Sequence, residues 1–291
     1  MNWVNAAVQG ILLGGEYALI ACGLSLTFGV MRLVNIAHGD LAVCGAYGAL
    51  VLSAALGVPV WYTLPLLLPA AFGIGVALQV LLFGRALRAG ILAPVMVTFG
   101  LSVVIENLLT AGATSDPRGL NGGGLALASF GIGPHITVSW LLATAFLTAC
   151  LVLSLLQVAL ARTSWGRQVR ATADDLDTAR LVGVRVMPVF ASVAGIGVAT
   201  AALAGVFIGT ISTFDPLTGT DSLIFAFEAV VIGGLGSLWG TLAGGVSLGV
   251  VQVVVGQVNQ EYAVLAVHLL FLLVLAVRPS GLFAGSALEQ A

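Results

Sequence analysis

The chain has 291 residues, of which 59% are hydrophobic and only 8% are charged, and its net charge is −2. Soluble domains carry about 25% charged residues, so this composition excludes an ordinary water-exposed globule. All ten basic residues are arginine, and without lysine the chain can form neither a Walker A nucleotide loop nor a lysine Schiff base.

Apolar segments of about the 20 residues that cross a bilayer recur along the whole length. They predict an all-α polytopic transmembrane helical bundle with about eight to ten membrane segments, forming one transmembrane domain over residues 1–291. The candidate segments lie near 5–29, 38–56, 60–83, 91–111, 136–160, 188–211, 222–235, 238–256 and 261–277. The segment 222–235 is short enough to be a partial or re-entrant helix. The N-terminal "MNWVNAAVQG" carries no basic residue, which predicts a retained first span rather than a cleaved signal peptide.

No motif for chemistry or metal binding emerges along the chain. Cys22, Cys44 and Cys150 lie in apolar segments without CxxC spacing, which favours small buried residues over redox or metal roles. The sequence contains neither a G-x-S-x-G nor an H-E-x-x-H motif. It therefore predicts no catalytic residue, no metal ligand and no cofactor bound by this chain.

The stretch "VNIAHGDLAVCGAYGA" places Asn35, His38, Gly39 and Asp40 between apolar flanks. One interpretation is a cytoplasmic turn with solvated polar side chains. The other is a helix broken at Gly39 inside the membrane, which is tolerated only against protein or a water-filled cavity. Such a break can present a helix N-terminus to an anionic group such as a carboxylate. The residues alone leave both interpretations open.

Three isolated acids occur within other apolar segments. Glu16, Glu106 and Glu228 are too costly to face lipid. Glu106 and Glu228 could each pair with an arginine near a helix end, bond within the bundle or contact a substrate ammonium group. Glu16 could alter selectivity or form only an internal hydrogen bond.

The placement of arginine predicts the orientation in the membrane. Arg85 and Arg88, the five arginines of 162–186, and Arg278 mark the cytoplasmic side. The links 112–135 and 212–221 are poor in arginine and are expected outside. With nine crossings, the N-terminus lies outside and the C-terminus inside.

The segment 162–187 gathers eight of the charged side chains. It predicts short helices joined by turns, with a capping-box-like start at Thr172 and Asp175. An Arg180–Asp177 pair and a C-terminal glycine cap at Gly183 are expected within it.

Composition alone favours a solvated loop that fixes topology, and the alternative is a docking element for a cytoplasmic partner. In the second case small and apolar side chains form a compact face. That face consists of Ala171, Ala173, Leu176, Ala179, Leu181 and Val182.

The stretch "VVIGGLGSLWGTLAGG", residues 230–245, is rich in glycine. Gly240 and Gly244 have the small-xxx-small spacing of closely packed membrane helices. The preceding break, which contains Gly233, Gly234 and Gly236, could also form a hinge or line a substrate path. The two roles are compatible.

Four stretches in order along the chain resemble the permeases of branched-chain amino acid ABC importers. They are "YALIACGLSLTFGVMRLVNIAHGDLAVCGAY", "GRQVRATADDLDTARLVGVRV", "AFEAVVIGGLGSLWGTLAGG" and "RPSGLF". The second is similar to the cytoplasmic loop of that family, Gly-Arg-x-x-Arg-Ala-x-x-Glu/Asp-Asp followed by Leu-x-Gly-Ile/Val, whose helices insert into the ATPase subunit. Glu16 lies where many members of the family carry a small residue, which leaves the cargo open.

The resemblance implies a multi-pass permease subunit of the bacterial inner membrane, surrounded by lipid. Its expected partners are cytoplasmic ATPase subunits holding ATP and Mg, a second permease chain that is homologous or identical, and an extracytoplasmic substrate-binding protein, with no nucleic acid. The implied ATPase-coupling residues are Arg167, Arg170, Ala171, Ala173, Asp174, Asp175, Ala179, Leu181 and Gly183. The candidate substrate-path residues are Asn35, His38, Gly39, Asp40, Glu106, Glu228, Gly233, Gly234, Gly236 and Ser237.

The expected cargo is a branched-chain or related amino acid. Urea, a short amide or another small carboxylate is the alternative within the same class. An ion-coupled transporter or channel, for which 162–187 would be only a loop, is the alternative from a different class.

Overall fold

The structure is a computed structural model that describes residues 3–90, 92–132 and 136–283. The helices are α1 (Trp3–Met31), α2 (His38–Leu56), α3 (Leu64–Leu78), α4 (Gly84–Ala86), α5 (Leu92–Ala113), α6 (Gly124–Leu127), α7 (Trp140–Arg162), α8 (Ser164–Asp174), α9 (Leu176–Leu181), α10 (Val186–Ile211), α11 (Thr218–Gly233), α12 (Leu238–Gly256) and α13 (Ala263–Val277). Short 3-10 turns, Val60–Thr63 and Gln260–Tyr262, precede α3 and α13, and a π-helical turn, Gln79–Phe83, joins α3 to α4.

Among the described residues, eight helical stretches are long and apolar enough to cross a membrane. They are Trp3–Met31, His38–Leu56, Val60–Ala86, Leu92–Ala113, Trp140–Arg162, Val186–Ile211, Leu238–Gly256 and Gln260–Val277. The predicted all-α polytopic bundle is therefore confirmed.

Two of the predicted segments differ from the structure. The fifth was expected from residue 136, but Ile136–Ser139 is strand β2, which pairs antiparallel with β1 (Ser129–Ile132), and α7 begins at Trp140. The segment near 222–235 is α11, which begins at Thr218 and has 16 residues. It is about 24 Å long, shorter than the roughly 30 Å hydrocarbon core.

Helices α1 and α10 form the centre of the bundle and are buried along most of their length. Glycine lets α1 approach α12 closely, since a Cβ at Gly14 would overlap the backbone of Val246, and one at Gly249 would overlap that of Gly10. Helices α5 and α13 lie at the periphery and expose large apolar side chains, as lipid-facing helices do.

The two ends of the bundle differ in charge as the orientation prediction requires. Arg88, Arg180 and Arg185 line one cavity, which brings the α4–α5 link, α9 and the start of α10 to the same end. At the other end, the Thr137 amide donates to Asn5 Oδ1 at 3.0 Å, and Arg118 pairs with Phe214 through the backbone. The arginine-rich links thus lie opposite the N-terminal end of α1.

Candidate functional site

The break between α1 and α2 is buried inside the bundle. Asn35, His38 and Asp40 are each at most 3% exposed. His38 Nε2 donates to the Ile20 carbonyl oxygen at 2.9 Å, and Ile20 lies well inside α1, eleven residues before its end at Met31. The chain therefore turns back into the membrane before α2 begins. The interpretation of this stretch as a solvated cytoplasmic turn is wrong. The helical run is broken, as the second interpretation expected, but the break covers residues 32–37 and Gly39 lies inside α2.

A polar stripe on α5 faces this break. Thr98, Ser102 and Glu106 are four residues apart and so share one face of the helix. Thr98 Oγ1 lies 3.4 Å from the Val34 carbonyl oxygen. Ser102 Oγ donates to Asp40 Oδ2 at 2.5 Å. These bonds hold the peripheral α5 against the start of α2.

The start of α11 completes the same site. Thr220 Oγ1 donates to Glu106 Oε1 at 3.0 Å. A Cβ at Gly39 would overlap the Gly219 carbonyl oxygen, so α2 and α11 touch through glycine backbone. We call the four side chains Asp40, Ser102, Glu106 and Thr220 the polar junction.

The polar junction is acidic and incompletely paired. Asp40 lies in the first turn of α2, where the helix dipole favours a carboxylate. No described residue bonds Asp40 Oδ1 or Asn35 Oδ1, although both atoms are buried. Because Asp40 and Glu106 supply negative charge, the junction suits a cationic group better than the carboxylate anticipated for a helix N-terminus.

Ser102 and Thr220 were not among the sequence candidates. The four-residue spacing from Ser102 to Glu106 could have identified the first, since it places both on one helical face. Thr220 carries no such signal, because its contact with α5 spans 114 positions of sequence.

Glu228 lies elsewhere and already has a partner. Its Oε1 is 2.6 Å from His268 Nδ1, and this bond joins α11 to the peripheral α13. The His268 ring also stacks on Phe225 at a centroid distance of 5.8 Å. Of the two roles considered for Glu228, the structure shows the internal bond.

The glycine-rich break forms the reversal between α11 and α12. Gly234 and Gly236 adopt φ angles of 100° and 85°, which residues with a Cβ rarely adopt. Ser237 caps α12 by accepting from the Gly240 amide at 3.1 Å. The Leu282 amide donates to the Ile232 carbonyl oxygen at 2.8 Å, which places the chain after α13 against this reversal. The reversal, which includes Gly233, is thus separate from the polar junction.

At the arginine-rich end, α8 is fastened to the membrane helices. Thr163 caps it by accepting from the Gly166 amide at 3.0 Å. Trp165 Nε1 donates to Ser192 Oγ on α10 at 2.8 Å. Arg170 Nη1 donates to the Leu160 carbonyl oxygen near the end of α7. A force applied to α8 is therefore transmitted to α7 and α10.

Helix α9 begins at Leu176 with Asp175 as its N-cap, rather than at the Thr172 start predicted. Thr172 lies inside α8, and its hydroxyl donates to the Gln168 carbonyl oxygen at 2.7 Å. Asp175 Oδ1 accepts from the Asp177 and Thr178 amides at 2.9 and 3.2 Å, and its Oδ2 from Thr178 Oγ1 at 2.6 Å. These bonds lower the pKa of the Asp175 carboxyl, and the bond from the Thr178 hydroxyl has the largest effect.

Two other local predictions for α9 are confirmed. Arg180 Nη1 lies 3.1 Å from Asp177 Oδ1. Gly183 has a φ of 87°, and its amide and that of Val184 donate to the carbonyl oxygens of Arg180 and Ala179. This is the glycine-dependent helix end in which two carbonyl groups are satisfied together.

The expected compact face of this segment is divided in the structure. Ala179 is buried, and Ala171 and Ala173 are half-buried. Leu181 and Val182 are 87% and 72% exposed and form an apolar tip, while Arg167 and Asp174 are exposed on α8. We call α8, α9 and this tip the cytoplasmic element.

The fold and these sites define a class: a polytopic helical membrane protein with a helical element on its arginine-rich face. The family described as the branched-chain amino acid transport system permease component matches residues 6–277. The chain is 29% identical over 304 residues to the high-affinity branched-chain amino acid transport system permease protein BraD of Pseudomonas aeruginosa, covering 99% of this chain and 98% of that protein. It is 31% identical over 305 residues to LivH of Salmonella typhimurium, a protein of the same description, covering 100% of this chain and 98% of LivH.

A shorter part of the chain is similar to a sugar permease. The fructose import permease protein FrcC of Rhizobium meliloti is 39% identical over 107 residues, covering 34% of this chain and 30% of that protein. No solved structure matches. The full-length matches show that the chain belongs to the branched-chain amino acid transport permease family. It is a multi-pass transport subunit of the bacterial inner membrane.

Proposed function

We propose that the chain is one transmembrane subunit of an ATP-driven importer that moves branched-chain or related amino acids. The observation that carries the proposal is the cytoplasmic element. It exposes Leu181 and Val182 to water at an apolar tip and is fastened to α7 and α10 by Arg170 and Trp165. An exposed apolar anchor on a rigid support is typical of a docking surface.

Separate ATPase subunits with bound ATP and Mg would receive the tip. Exposed charges at Arg167 and Asp174 would set the register of docking. Closure of the ATPases would then move α7 and α10, which surround α1, and change access to the path. An extracytoplasmic binding protein would deliver the cargo at the opposite end.

A second permease chain would cover the polar junction. Glu106 is only half-buried, and Thr220 and Asn107 are exposed on the outer surface of the bundle. Polar groups at membrane depth are costly against lipid, so this face requires water or another protein. A path between two such faces would be lined by Glu106 and Thr220, with Asp40 buried behind them, and their negative charge would suit the ammonium group of an amino acid.

Uptake of radiolabelled leucine tests the cargo and the energy source together. The assay uses cells without their own branched-chain amino acid uptake that produce this chain with its partner subunits. We expect isoleucine and valine to compete and urea or acetamide not to. Orthovanadate and ATP depletion should abolish uptake, while collapse of the ion gradients at constant ATP should not. Uptake that follows the ion gradient would favour the ion-coupled class, and competition by urea alone would favour the other cargo.

The junction is tested with a matched pair of variants. Glu106→Gln should reduce leucine uptake by about tenfold, the effect of losing one charge-assisted contact. Glu261→Gln, an exposed acid in the loop before α13, should leave uptake unchanged. Equal uptake by both variants would remove Glu106 from the path.

A further inference from the structure

A small cavity lies on the other side of α11 from the polar junction. It has a volume of about 170 Å³ and lies between α1, α10 and α11. Glu16, Tyr17 and Ile20 line it from α1, and Asp221 and Phe225 from α11. The hydroxyl groups of Ser212, Thr218 and Ser222 complete its polar lining. Asp221 and Ser212 are exposed, so the cavity is open toward the outer end of the bundle.

Glu16 is unpaired within the part of the chain that the structure describes. It is only 8% exposed, and its Oε2 is shut off from solvent without a hydrogen-bond partner. No arginine or histidine lines the cavity. Arg118, the arginine of the outer links, donates instead to the Ala113 carbonyl oxygen at 2.6 Å. A buried carboxylate without a partner is costly, so Glu16 requires either a proton or a cation from outside the chain.

The walls of the cavity favour an organic cation over a metal ion. The Tyr17 and Phe225 rings stack at 4.9 Å with an interplanar angle of 12°, which places two aromatic rings beside the two carboxylates. Because Phe225 also stacks against His268, the aromatic pair serves as an apolar wall, which suits an alkylammonium ion better than a hydrated metal ion. In the described residues no group of three or more His, Cys, Asp or Glu side chains could hold a metal.

From these observations we infer that the cavity between α1, α10 and α11 is a binding site for a primary ammonium group, with Glu16 as its principal ligand and Asp221 as the second. The site is separate from the polar junction, because Thr220 and Asp221 project from α11 toward different elements. The inference rests on the proposed function only for the natural ligand, which would be the ammonium end of an amino acid on its way to the junction.

Binding of methylammonium by the purified full chain in detergent tests the site without transport. Thermal unfolding is followed by the fluorescence of the five tryptophans. Saturating methylammonium chloride should raise Tm by about 2–4 °C, as expected for a ligand that binds only the folded chain. Sodium chloride and tetramethylammonium chloride at the same ionic strength should not raise Tm. Neither cation has an N–H donor, and tetramethylammonium is also bulkier.

Variants assign the effect to the cavity. Glu16→Gln should abolish the methylammonium shift, and Asp221→Asn should raise the half-saturating concentration several-fold. Glu261→Gln, an exposed acid away from the cavity, should behave as wild type. Because Asp221 is exposed, its variant provides the test even if Glu16→Gln folds poorly.

Three outcomes would overturn the inference. If wild type shows no shift, Glu16 carries only a proton. If sodium gives the same shift, or if the shift persists in both cavity variants, the effect is one of ionic strength. Methylammonium binding without leucine uptake would leave the site standing and remove the transport proposal, so the two failures are distinguishable.

Discussion

Individual polar residues decide where the membrane helices of this protein begin and meet. Asp40 lies at the buried start of α2 and accepts a hydrogen bond from Ser102. Because the second Asp40 oxygen has no bond among the described residues, the Ser102 hydroxyl is the main support of this carboxylate. The side chain thus links the α2 break to the peripheral α5.

Removal of the Ser102 hydroxyl tests this link. Ser102→Ala should destabilise the chain by about 1–3 kcal/mol, the cost of leaving a buried acceptor unsatisfied. Thermal unfolding in detergent measures the loss, and leucine uptake should fall with it. Asn107→Ala, an exposed change on the same helix, is the control for the stability measurement on the purified chain. Equal stability of Ser102→Ala and wild type would contradict the assigned bond.

The Asp175 cap predicts how α9 responds to pH. Its pKa is lowered in the folded chain from the ordinary value of 3.8, because Thr178 and Asp177 donate to its charged form. A lowered folded pKa means that the contribution to stability is present above the unfolded pKa and is lost as pH falls through the folded value. Hydrogen exchange of the Asp177 and Thr178 amides should therefore show protection that is constant from pH 7 down to about 4.

The Asp175→Ala variant should lose that protection at every pH. If wild type instead lost its protection between pH 7 and 5, a group other than Asp175 would hold the start of α9.

At the scale of helices, glycine sets the distances between α11, α12 and α1. A Cβ at Gly244 would overlap the Ala229 carbonyl oxygen on α11, whereas a Cβ at Gly100 on α5 meets nothing within 4 Å. The same substitution should therefore have opposite effects at these two helical positions.

Gly244→Ala should lower stability by about 1–3 kcal/mol, since overpacking forces α11 and α12 apart. Gly100→Ala should raise it by about 0.5–1 kcal/mol, because alanine favours a helix. Chemical or thermal unfolding of the two variants in one detergent makes the comparison. A stabilised Gly244→Ala variant would show that α11 and α12 are farther apart than described.

The sequence predicts some features of the helices better than others. Hydropathy located all the long spans, because burial in lipid demands about 20 apolar residues regardless of tertiary contacts. It misplaced the start of α7, since apolar β-branched residues such as Ile136 and Val138 suit a strand as well as a membrane helix. Gly183 and the Arg180–Asp177 pair were predictable because their partners lie within a few residues.

Contacts between distant segments escaped prediction. One local feature was also predicted wrongly. Thr172 was assigned as the cap of α9 because Thr172 and Asp175 have the spacing of a capping box, but α8 continues through Thr172. The polar junction depends on α2, α5 and α11 meeting, and no local pattern predicts that meeting. Likewise, Glu228 gave no sign from its position that His268 would bond it.

At the scale of the whole molecule, the protein is an apolar bundle with the polar junction on a flank and the cytoplasmic element at its arginine-rich end. The flank leaves Glu106 and Thr220 uncovered, and the arginine-rich end exposes Leu181 and Val182. No residue that the structure describes covers either surface. This division fits the proposed importer subunit, which would contact a second permease at the flank and an ATPase at the arginine-rich end.

Retention of the ATPase in mild detergent tests this account most directly. The double variant Leu181→Asp/Val182→Asp changes the apolar tip without touching Arg170, whose bond to Leu160 supports the fold. A matched control, Leu217→Asp/Val258→Asp, changes exposed apolar residues in loops outside the cytoplasmic element. Wild type and the control should retain the co-produced ATPase, and the tip variant should lose it by about tenfold or more. Equal retention by the tip variant, or no retention by well-folded wild type under any nucleotide condition, would contradict the account.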